Sequence, residues 1–467
     1  MVDLLIFNPW WEVPERIESD RSIVDYRESK LRWHPKIKDE FKLNLDAVYS
    51  LRGPRQVGKT TVIKMIVKEL LESGLPPRAI FYYACDLLAS VEDLFQVIRQ
   101  YQEFSQPHKF KRRYVFIDEI SLVHDWQYAV KQAIDLGWGR STTFILTGSS
   151  AVDIKRGAER LPGRRGRVSQ ADKVLVPLDF KEFVDKCSEA PINFEHASLN
   201  ALFEEPKLIE KLKSQAPVYL PRLTALFEQF LTVGGFPLAV ECFLRKGELS
   251  RDIIETYLAV IRSDFEKVKK SRILLKQVLT RVLSIGGTPV SWQSLAKTID
   301  TPSYNTVREY SELLADSFLL AILYFLDRNK RAANPNKGKK FYFIDPLVLN
   351  LARHEVSLST GQEFSLAAEG AVAAHLVRNF ERRLFEGFGS MEKVFYWRSA
   401  KGNEVDFVVL HGESLLPVEV KYQSSISRSD YTTMKRSFGK GILVTKNTFL
   451  LDEEVVGIPA PLFLLLN

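Results

Sequence analysis

A chain of 467 residues is too long for one hydrophobic core, and at roughly 100–200 residues per domain it should hold two to four. With 45% hydrophobic and 26% charged residues it reads as globular, which excludes collagen-like and wholly disordered classes, and no apolar run reaches the ~18–20 residues that span a bilayer. Lys+Arg 65 against Asp+Glu 58 leaves a net charge of +7, a mild tilt toward polyanions that gains meaning only where the charge clusters.

The start, Met1–Trp10 (MVDLLIFNPW), lacks a basic region and has only a short apolar stretch, so it is a poor signal peptide and the cytoplasm is the expected location. From about Ala47 to Phe183 short apolar runs alternate with helical patterns. The runs are Ala47–Leu51, Ala79–Tyr83, Tyr114–Ile117 and Thr143–Leu146, each short enough for a strand covered on both faces. A parallel α/β sheet is expected. From about Cys187 to Lys270 the pattern is helical, in Leu208–Ser214, Leu220–Val233 and Ile253–Val268, with a break at Gly234-Gly235-Phe236-Pro237. Ser271–Asp345 predicts short helices followed by two strands. The remainder reads as α+β: a helix over Ser365–Arg382, then strands near Val394–Trp397, Val405–Leu410 and Leu416–Lys421. Cys85, Cys187 and Cys242 lie far apart and form neither a zinc ribbon nor a disulfide framework.

Gly53-Pro54-Arg55-Gln56-Val57-Gly58-Lys59-Thr60 fits GxxxxGK[ST] between a predicted strand and a helix that opens at Thr61. Glycines let backbone N–H groups fold around phosphate oxygens, and the helix N-terminus adds positive potential. ATP is therefore expected against Gly53–Thr61, with Lys59 at the β/γ-phosphates and the Thr60 hydroxyl on Mg²⁺. The competing reading, a glycine-rich turn with an incidental lysine, lacks this strand–loop–helix context.

The other half of such a site is an acidic pair at the end of a buried strand, which Asp118 and Glu119 supply. Asp118 is expected to hold the metal shell through water, and Glu119 to orient the attacking water, since phosphoryl transfer needs positioning more than covalent chemistry. The next strand ends in Thr147-Gly148-Ser149-Ser150. Thr147, then Ser149, is the choice for sensing the γ-phosphate, against a plain turn. Arg160–Arg167 is a glycine-flanked arginine cluster, with Arg164 the candidate for transition-state charge. A solvated basic loop or a DNA contact are the alternatives.

These motifs recur in order in a large prokaryotic family. Gly53–Thr61 (GPRQVGKTT), Asp118-Glu119, Thr147–Ser150, Pro162-Gly163-Arg164 and Pro177–Phe183 (PLDFKEF) carry the likeness, with Phe7–Trp11 and Gly234–Pro237 beside them. The chain resembles the archaeal-type ATPases of the AAA+ superfamily, close to the STAND-like switch ATPases. The resemblance covers essentially the whole chain. It implies a winged-helix unit after the ATPase and a restriction-endonuclease-like domain at the C-terminus. The arginine loop is richer in Arg and Gly than that pattern.

The residues support both additions. Ile273–Leu283 is an amphipathic helix. Ser291 is an N-cap candidate for Trp292–Ile299, and after Asp300-Thr301-Pro302 a second helix covers Ser303–Leu314. That is a helix-turn-helix layout, with Tyr304, Asn305, Thr306 and Arg308 on the reading face. Strands are predicted at Phe318–Phe325 and Lys340–Ile344. Their connection carries Arg328, Lys330, Arg331, Lys337, Lys339 and Lys340, as a DNA-binding wing would. Glu309 and Glu312 oppose DNA, and a winged helix used for packing or protein contacts is the alternative.

Asp406 at one strand's start and Glu419-x-Lys421 in the next give the PD-(D/E)xK nuclease spacing, because residues two apart in a strand share a face. Asp406, Glu419 and Glu369 are candidate ligands of a second Mg²⁺ or Mn²⁺, and Lys421 is placed to orient water. An inactive nucleic-acid or protein binder, or an unrelated fold, are the alternatives. Trp397 and Arg398 are placed to stack on or contact a nucleic-acid strand, with core the competing reading for Trp397.

The expected architecture is α/β multidomain. It comprises a P-loop NTPase parallel sheet with an N-terminal lead (1–185), a helical lid (186–270), a winged helix (271–350) and a restriction-endonuclease-like α+β domain (360–467). The expected function is Mg²⁺-dependent ATP binding and hydrolysis acting on DNA, with nucleotide between core and lid and a metal-dependent nuclease at the C-terminus. The alternative is a slow nucleotide switch whose tail binds DNA or protein without cutting. ATP and DNA are the expected partners, with no membrane; a homo-oligomer or protein partner stays open.

Overall fold

The computed structural model describes residues 4–148, 161, 163–166, 168, 170–192, 201–204, 206–300, 303–357, 364–381, 392–452 and 454–466. Ser149, Ser150, Arg160, Pro162, Arg167, Thr301, Pro302 and Arg382 lie outside the described residues. Two compact units result, one from the chain through Val176 and one from Pro177 onward.

In the first unit, strands β1 (Ala47–Arg52), β2 (Ile80–Ala84), β3 (Arg113–Asp118), β4 (Thr142–Thr147) and β5 (Asp172–Val174) form one sheet in the order β2-β3-β4-β1-β5. All its pairings are parallel. Near-continuous burial of β1 (AVYSLR) and β4 (TTFILT) shows why: with both faces covered, alternation is not needed. Helix α1 (Lys59–Glu72) follows β1, α2 (Val91–Ser105) follows β2 and α3 (Trp126–Asp135) follows β3. A capping box between Ser90 and Asp93 starts α2.

The edge strand β2 is closed by the N-terminal lead. The Asn8 side chain accepts from the Tyr82 N–H at 2.7 Å and donates to the Tyr82 carbonyl at 3.0 Å, as a neighbouring strand would. The indoles of Trp10 and Trp11 both donate to the Ile80 carbonyl, at 3.2 and 2.8 Å. Open strand edges invite pairing with other chains, and this lead removes one.

The second unit holds an eight-stranded mixed sheet in the order β12-β13-β11-β10-β9-β8-β6-β7. Its strands are β6 (Leu320–Asp327), β7 (Ala332–Phe343), β8 (Val394–Arg398), β9 (Glu404–His411), β10 (Ser414–Lys421), β11 (Gly441–Thr445), β12 (Leu450–Asp452) and β13 (Val455–Pro459). Before it come α4 (Pro206–Val233), α5 (Arg272–Ile285), α6 (Trp292–Ala296) and α7 (Tyr304–Asp316); α8 (Pro346–Glu355) and α9 (Phe364–Phe380) follow β7. The segments expected as separate, 186–270, 271–350 and 360–467, fall in this one unit. The cause is a strand junction: β6 pairs in parallel with β8 through Tyr324↔Phe395 and Phe325↔Tyr396. Leu326 of β6 then shares one buried cluster with Phe395, Val405, Val408, Tyr431, Met434, Leu443 and Val455.

Two local expectations shift. Helix α4 runs unbroken through Pro217 and Pro221, where two helices were expected. The prolines are one turn apart, so both missing donors lie on the same side of the helix, while packing on α8 and α9 holds it. Strand β7 begins at Ala332, well before the expected Lys340, so the basic connection shrinks to a turn at 328–331. Asp327 sets that turn by accepting from the N–H groups of Asn329 and Lys330 at 3.1 and 3.2 Å. A register shift between Tyr324 and Phe325 leaves 335–338 as a bulge.

Among the described residues no helix is long and apolar enough to cross a membrane.

Candidate functional site

The phosphate-loop candidate leaves the end of β1 and enters α1. Gly53 has φ +146 and lies so close to the Leu175 carbonyl that an added Cβ would sit 2.1 Å from its oxygen. Gly58 caps α1 at φ +99, and Gln56 is also left-handed at φ 57. Such alternation turns successive N–H groups inward, the concavity that anions occupy. The Lys59 ammonium folds over the loop and donates to the carbonyls of Gly53 and Pro54, at 3.1 and 2.9 Å. Arg55, Val57 and Thr61 complete the loop and first turn.

Strand β4 lies between β1 and β3, so its end brings Thr147 between the loop and the acidic pair. Asp118, only 3% exposed, is the hub. Its Oδ2 accepts from the Thr60 hydroxyl at 2.7 Å and from the Tyr82 hydroxyl at 3.0 Å. Its Oδ1 accepts from the Thr147 hydroxyl and, at 3.2 Å, from the Glu119 N–H. Glu119 takes a left-handed φ of 52 as β3 ends, which turns it away from the strand line.

Asp118 makes no ion pair among the described residues. A buried carboxylate met only by hydroxyls and an amide is a poor resting place for charge, and a cation beside Thr60 would complete it. The residues fit Mg²⁺. The Lys64 ammonium, which feels the Asp118 charge, pairs with Asp20 at 2.9 Å and sits 3.4 Å over the Tyr82 ring. Burial pulls the Lys64 pKa down, against the pull of Asp20 and Asp118. Burial, with Asp118 beside it, pushes the Tyr82 phenol far up, so it stays a donor.

Arg164 is not brought to this site within the chain. Gly166 bridges Ala47, at the start of β1, whereas the loop leaves its far end, roughly 17 Å away by strand rise. The Arg164 guanidinium instead meets Asp135, at 2.7 and 3.1 Å. Arg165 is structural: it binds Asp172, at 2.6 and 3.0 Å, and the Val48 carbonyl at 3.2 Å.

The second unit gathers the C-terminal candidates as their spacing requires, with an addition. Glu419 and Lys421 share a face of β10, with Lys421 Nζ to Glu419 Oε1 at 2.5 Å. Asp406 N–H donates to Glu419 Oε2 at 3.2 Å, and Val420 N–H to Asp406 Oδ2 at 3.0 Å. Beside Asp406 stands Lys340, 1% exposed, assigned from sequence to the wing. Its ammonium lies 2.7 Å from Glu404 Oε1, 3.1 Å from Asp406 Oδ1 and 3.6 Å from Glu369 Oε1. The Tyr342 hydroxyl donates to Glu369 Oε1 at 2.6 Å.

Burial, reinforced by the Asp406 charge, pushes the Glu369 carboxyl up to about 7 and the Glu419 carboxyl up to about 8. Burial alone would lower Lys340, but Tyr342, Asp406, Glu369 and Glu404 together raise it well above the ordinary lysine value. Among the described residues no group of three or more His, Cys, Asp and Glu side chains is placed to hold a metal ion. As arranged, the cluster does not fit a divalent cation.

The wing reading changes as well. Lys339 is buried over the Trp292 ring at 5.3 Å. Arg328 stacks on Phe438 at 4.6 Å, and Arg331 donates to the Glu413 carbonyl at 2.5 Å. Lys330 and Lys337 are the exposed lysines of the hairpin. On α7, Tyr304 (43% exposed), Asn305 and Arg308 face solvent, though Arg308 pairs with Glu312 at 2.7 Å and Glu309 with Lys270 at 2.7 Å. Trp397 and Arg398 end β8, where Trp397 packs edge-on against Phe438 and Arg398 donates to the Gly402 carbonyl at 2.7 Å.

Residues 46–184 match the AAA domain family. The five-stranded parallel sheet with its loop fits a P-loop NTPase fold. Residues 224–357 and 365–463 match two families described as domains of unknown function, DUF8612 and DUF4143. No curated protein matches the chain. Among solved structures the chain is similar to the Walker-type ATPase PABY2304 of Pyrococcus abyssi, at 15% identity over 71% of this chain and 97% of that one, TM-score 0.40. It is also similar to the ORC2 protein of Aeropyrum pernix in ADPNP-ADP complexes, at 12% identity over 73% and 94%, TM-score 0.36. The Aeropyrum pernix ORC1 protein in complex with DNA stands at 14% identity over 74% and 96%, TM-score 0.29.

Sequence reasoning missed Tyr82, Lys340, Tyr342 and Glu404. Lys340 and Tyr342 are two apart in a strand and so share a face, but nothing local in the sequence says that this face meets Asp406.

Proposed function

We propose that the chain is a Mg²⁺-dependent ATP-binding and ATP-hydrolysing enzyme of the AAA type. The observation that carries this reading is the 2.7 Å hydrogen bond from Thr60 to Asp118, which joins the phosphate loop to the acidic strand end at the point where a metal would sit. Gly53–Thr61 would cradle the phosphates through backbone N–H groups, and Lys59 would exchange loop carbonyls for β/γ-oxygens. Bound Mg²⁺ would neutralise phosphate charge. Asp118 would hold its water shell, Thr60 its inner sphere, and Glu119 would orient the attacking water. Thr147, bonded to Asp118, would report changes at the γ-phosphate to that carboxylate. Calorimetry with ATP and phosphate release in Lys59→Ala test the site. Loss of turnover with weakened nucleotide binding is expected, and normal turnover in that variant overturns the assignment.

Arg164, on the segment that meets the start of β1 and so away from the loop, would serve the site of a neighbouring copy rather than its own. DNA is the proposed partner of the second unit, through the exposed Tyr304, Asn305 and Arg308 of α7, in the helix–helix–hairpin order of a winged helix. Lys330 and Lys337 would be the hairpin's phosphate contacts. Fluorescence anisotropy with duplex DNA tests this: loss of binding in Asn305→Ala/Arg308→Ala supports it, and unchanged affinity removes it.

For the C-terminal cluster, the reading favoured over a nuclease is a tail that binds without cutting, because Lys340 stands among the carboxylates. Cleavage of labelled DNA with Mg²⁺ or Mn²⁺, abolished by Asp406→Ala, would restore the nuclease reading.

A further inference from the structure

We propose that Lys340 is the resident cation of the C-terminal carboxylate cluster, its ammonium holding the place that a divalent ion would need among Glu369, Glu404 and Asp406. This inference uses nothing from the ATP site. It supplies a physical cause for a tail that does not cut.

Delivery of Lys340 is built into the strand. Lys339 exchanges backbone hydrogen bonds with Val290, N–H to carbonyl at 2.8 Å and the reverse at 2.9 Å, which pins the chain just beyond the 335–338 bulge. With Lys339 turned toward Trp292, alternation sends Lys340 to the opposite face, where β9 and α9 present their carboxylates. A lysine 1% exposed is tolerable only when its charge is met, and three carboxylates meet it.

The spacing is that of an ammonium, not of a metal. Carboxylate oxygens stand 2.7, 3.1 and 3.6 Å from the nitrogen, whereas Mg²⁺ draws oxygens to about 2.0–2.1 Å in a near-ideal octahedron. Other oxygens of the cluster already serve protein donors. Asp406 Oδ2 takes the Val420 N–H at 3.0 Å, and Glu419 takes Lys421 on one oxygen and the Asp406 N–H on the other. A divalent ion entering here would have to displace an ammonium that is 1% exposed and already met by three carboxylates. Lys340 thereby ties β7 to β9 and α9, and the cluster becomes a charged joint between the hairpin and the C-terminal strands.

The test is Mn²⁺ binding, followed by electron paramagnetic resonance, to the full-length chain without nucleotide. A Thr60→Ala background silences the loop site. The parent is expected to show no Mn²⁺ site that Asp406→Asn removes. Lys340→Met should gain one site, at least tenfold tighter than anything in the parent, and adding Asp406→Asn should abolish it. A parent that binds Mn²⁺ and loses it on Asp406→Asn overturns the proposal, as does a folded Lys340→Met chain that gains nothing. If circular dichroism shows Lys340→Met unfolded, the parent and Asp406→Asn comparison decides alone. Failure here leaves the ATPase reading intact, because that reading stands on Lys59→Ala turnover.

Discussion

Tyr82 donates its hydroxyl, at 3.0 Å, to the same Asp118 oxygen that accepts from Thr60. The phenol comes from β2, next to β3 in the sheet, and its own strand edge is closed by Asn8. The N-terminal lead, β2 and the Asp118 carboxylate therefore form one chain of contacts. Removing the hydroxyl leaves the ring packing but withdraws a donor from a buried carboxylate, worth roughly 1.5–3 kcal/mol for a bond to a charged group. Tyr82→Phe is expected to shift the Mg²⁺ concentration for half-maximal ATP hydrolysis several-fold, with nucleotide affinity in the absence of metal unchanged. An unaltered Mg²⁺ titration would remove Tyr82 from the positioning of Asp118.

Glu119 and Asp118 differ in placement, and the roles proposed for them differ accordingly. Asp118 is buried and accepts from three hydroxyls and the Glu119 N–H, whereas Glu119 leaves the strand in a left-handed conformation and is half-buried. Glu119→Gln should keep ATP and Mg²⁺ binding while lowering hydrolysis at least a hundredfold, since it retains shape and loses the charge that polarises water. Single-turnover phosphate release beside equilibrium nucleotide binding checks the split. Equal losses in both would assign Glu119 to binding instead.

The distance of Arg164 from the loop of its own chain gives a mixing experiment. Arg164→Ala alone and Lys59→Ala alone should each hydrolyse ATP poorly. A mixture should recover part of the activity, because one chain offers an intact loop and the other an intact arginine. Turnover per chain in the wild type should also rise with protein concentration. Wild-type turnover in Arg164→Ala at every concentration would assign Arg164 to its Asp135 ion pair alone.

What could be read in the sequence, and what could not, follows the range of the contacts. Gly53–Thr61 is a local pattern whose chemistry dictates both residue type and spacing, and it leads from β1 into the first turn of α1. Glu419 and Lys421 needed only the two-residue period of a strand. Tyr82 and Lys340 reach their carboxylates across 36 and 66 residues, and no local pattern announces such a meeting. Part of the basic connection, Lys339 and Lys340 above all, misled for a related reason. A run of lysines and arginines resembles a solvated tip until one knows that β6 pairs with β8, and that pairing carries the hairpin onto the C-terminal strands.

The same long-range logic explains two sequence motifs that carry no chemistry. Leu178, within PLDFKEF, donates its N–H to the Gly235 carbonyl at 2.8 Å, and Gly235 donates in turn to Asp345 Oδ2 at 2.9 Å. A Cβ on Gly235 would stand 1.9 Å from the Leu178 carbonyl oxygen. Backbone cannot yield there as a flexible side chain can. Gly235→Ala should therefore cost about 3 kcal/mol or more of stability, seen as a large drop in the denaturation midpoint of the second unit. A change within error would mean that the junction relaxes freely.

Acid sensitivity gives a test of the second unit's core. His375 is buried in α9, with Phe463 5.6 Å away ring to ring. Burial pushes its pKa down to about 4, helped by Arg378 and opposed by Asp179. The unfolded chain takes up the proton near 6.5, while the folded chain stays neutral until about 4. The contribution is therefore complete above 6.5 and is lost as pH falls toward 4, on the order of 3 kcal/mol across the window. Asp345 acts in the opposite sense. Burial lifts it to about 6, so the stability it confers is greatest at low pH and falls as pH rises through that value. The raw stability curve mixes the two, and the informative quantity is the difference between wild type and His375→Gln, which has no titrating ring. That difference should shrink steadily from pH 7 to pH 4 in denaturant melts. A difference that stays constant over this range would mean that His375 titrates alike in the folded and unfolded chain.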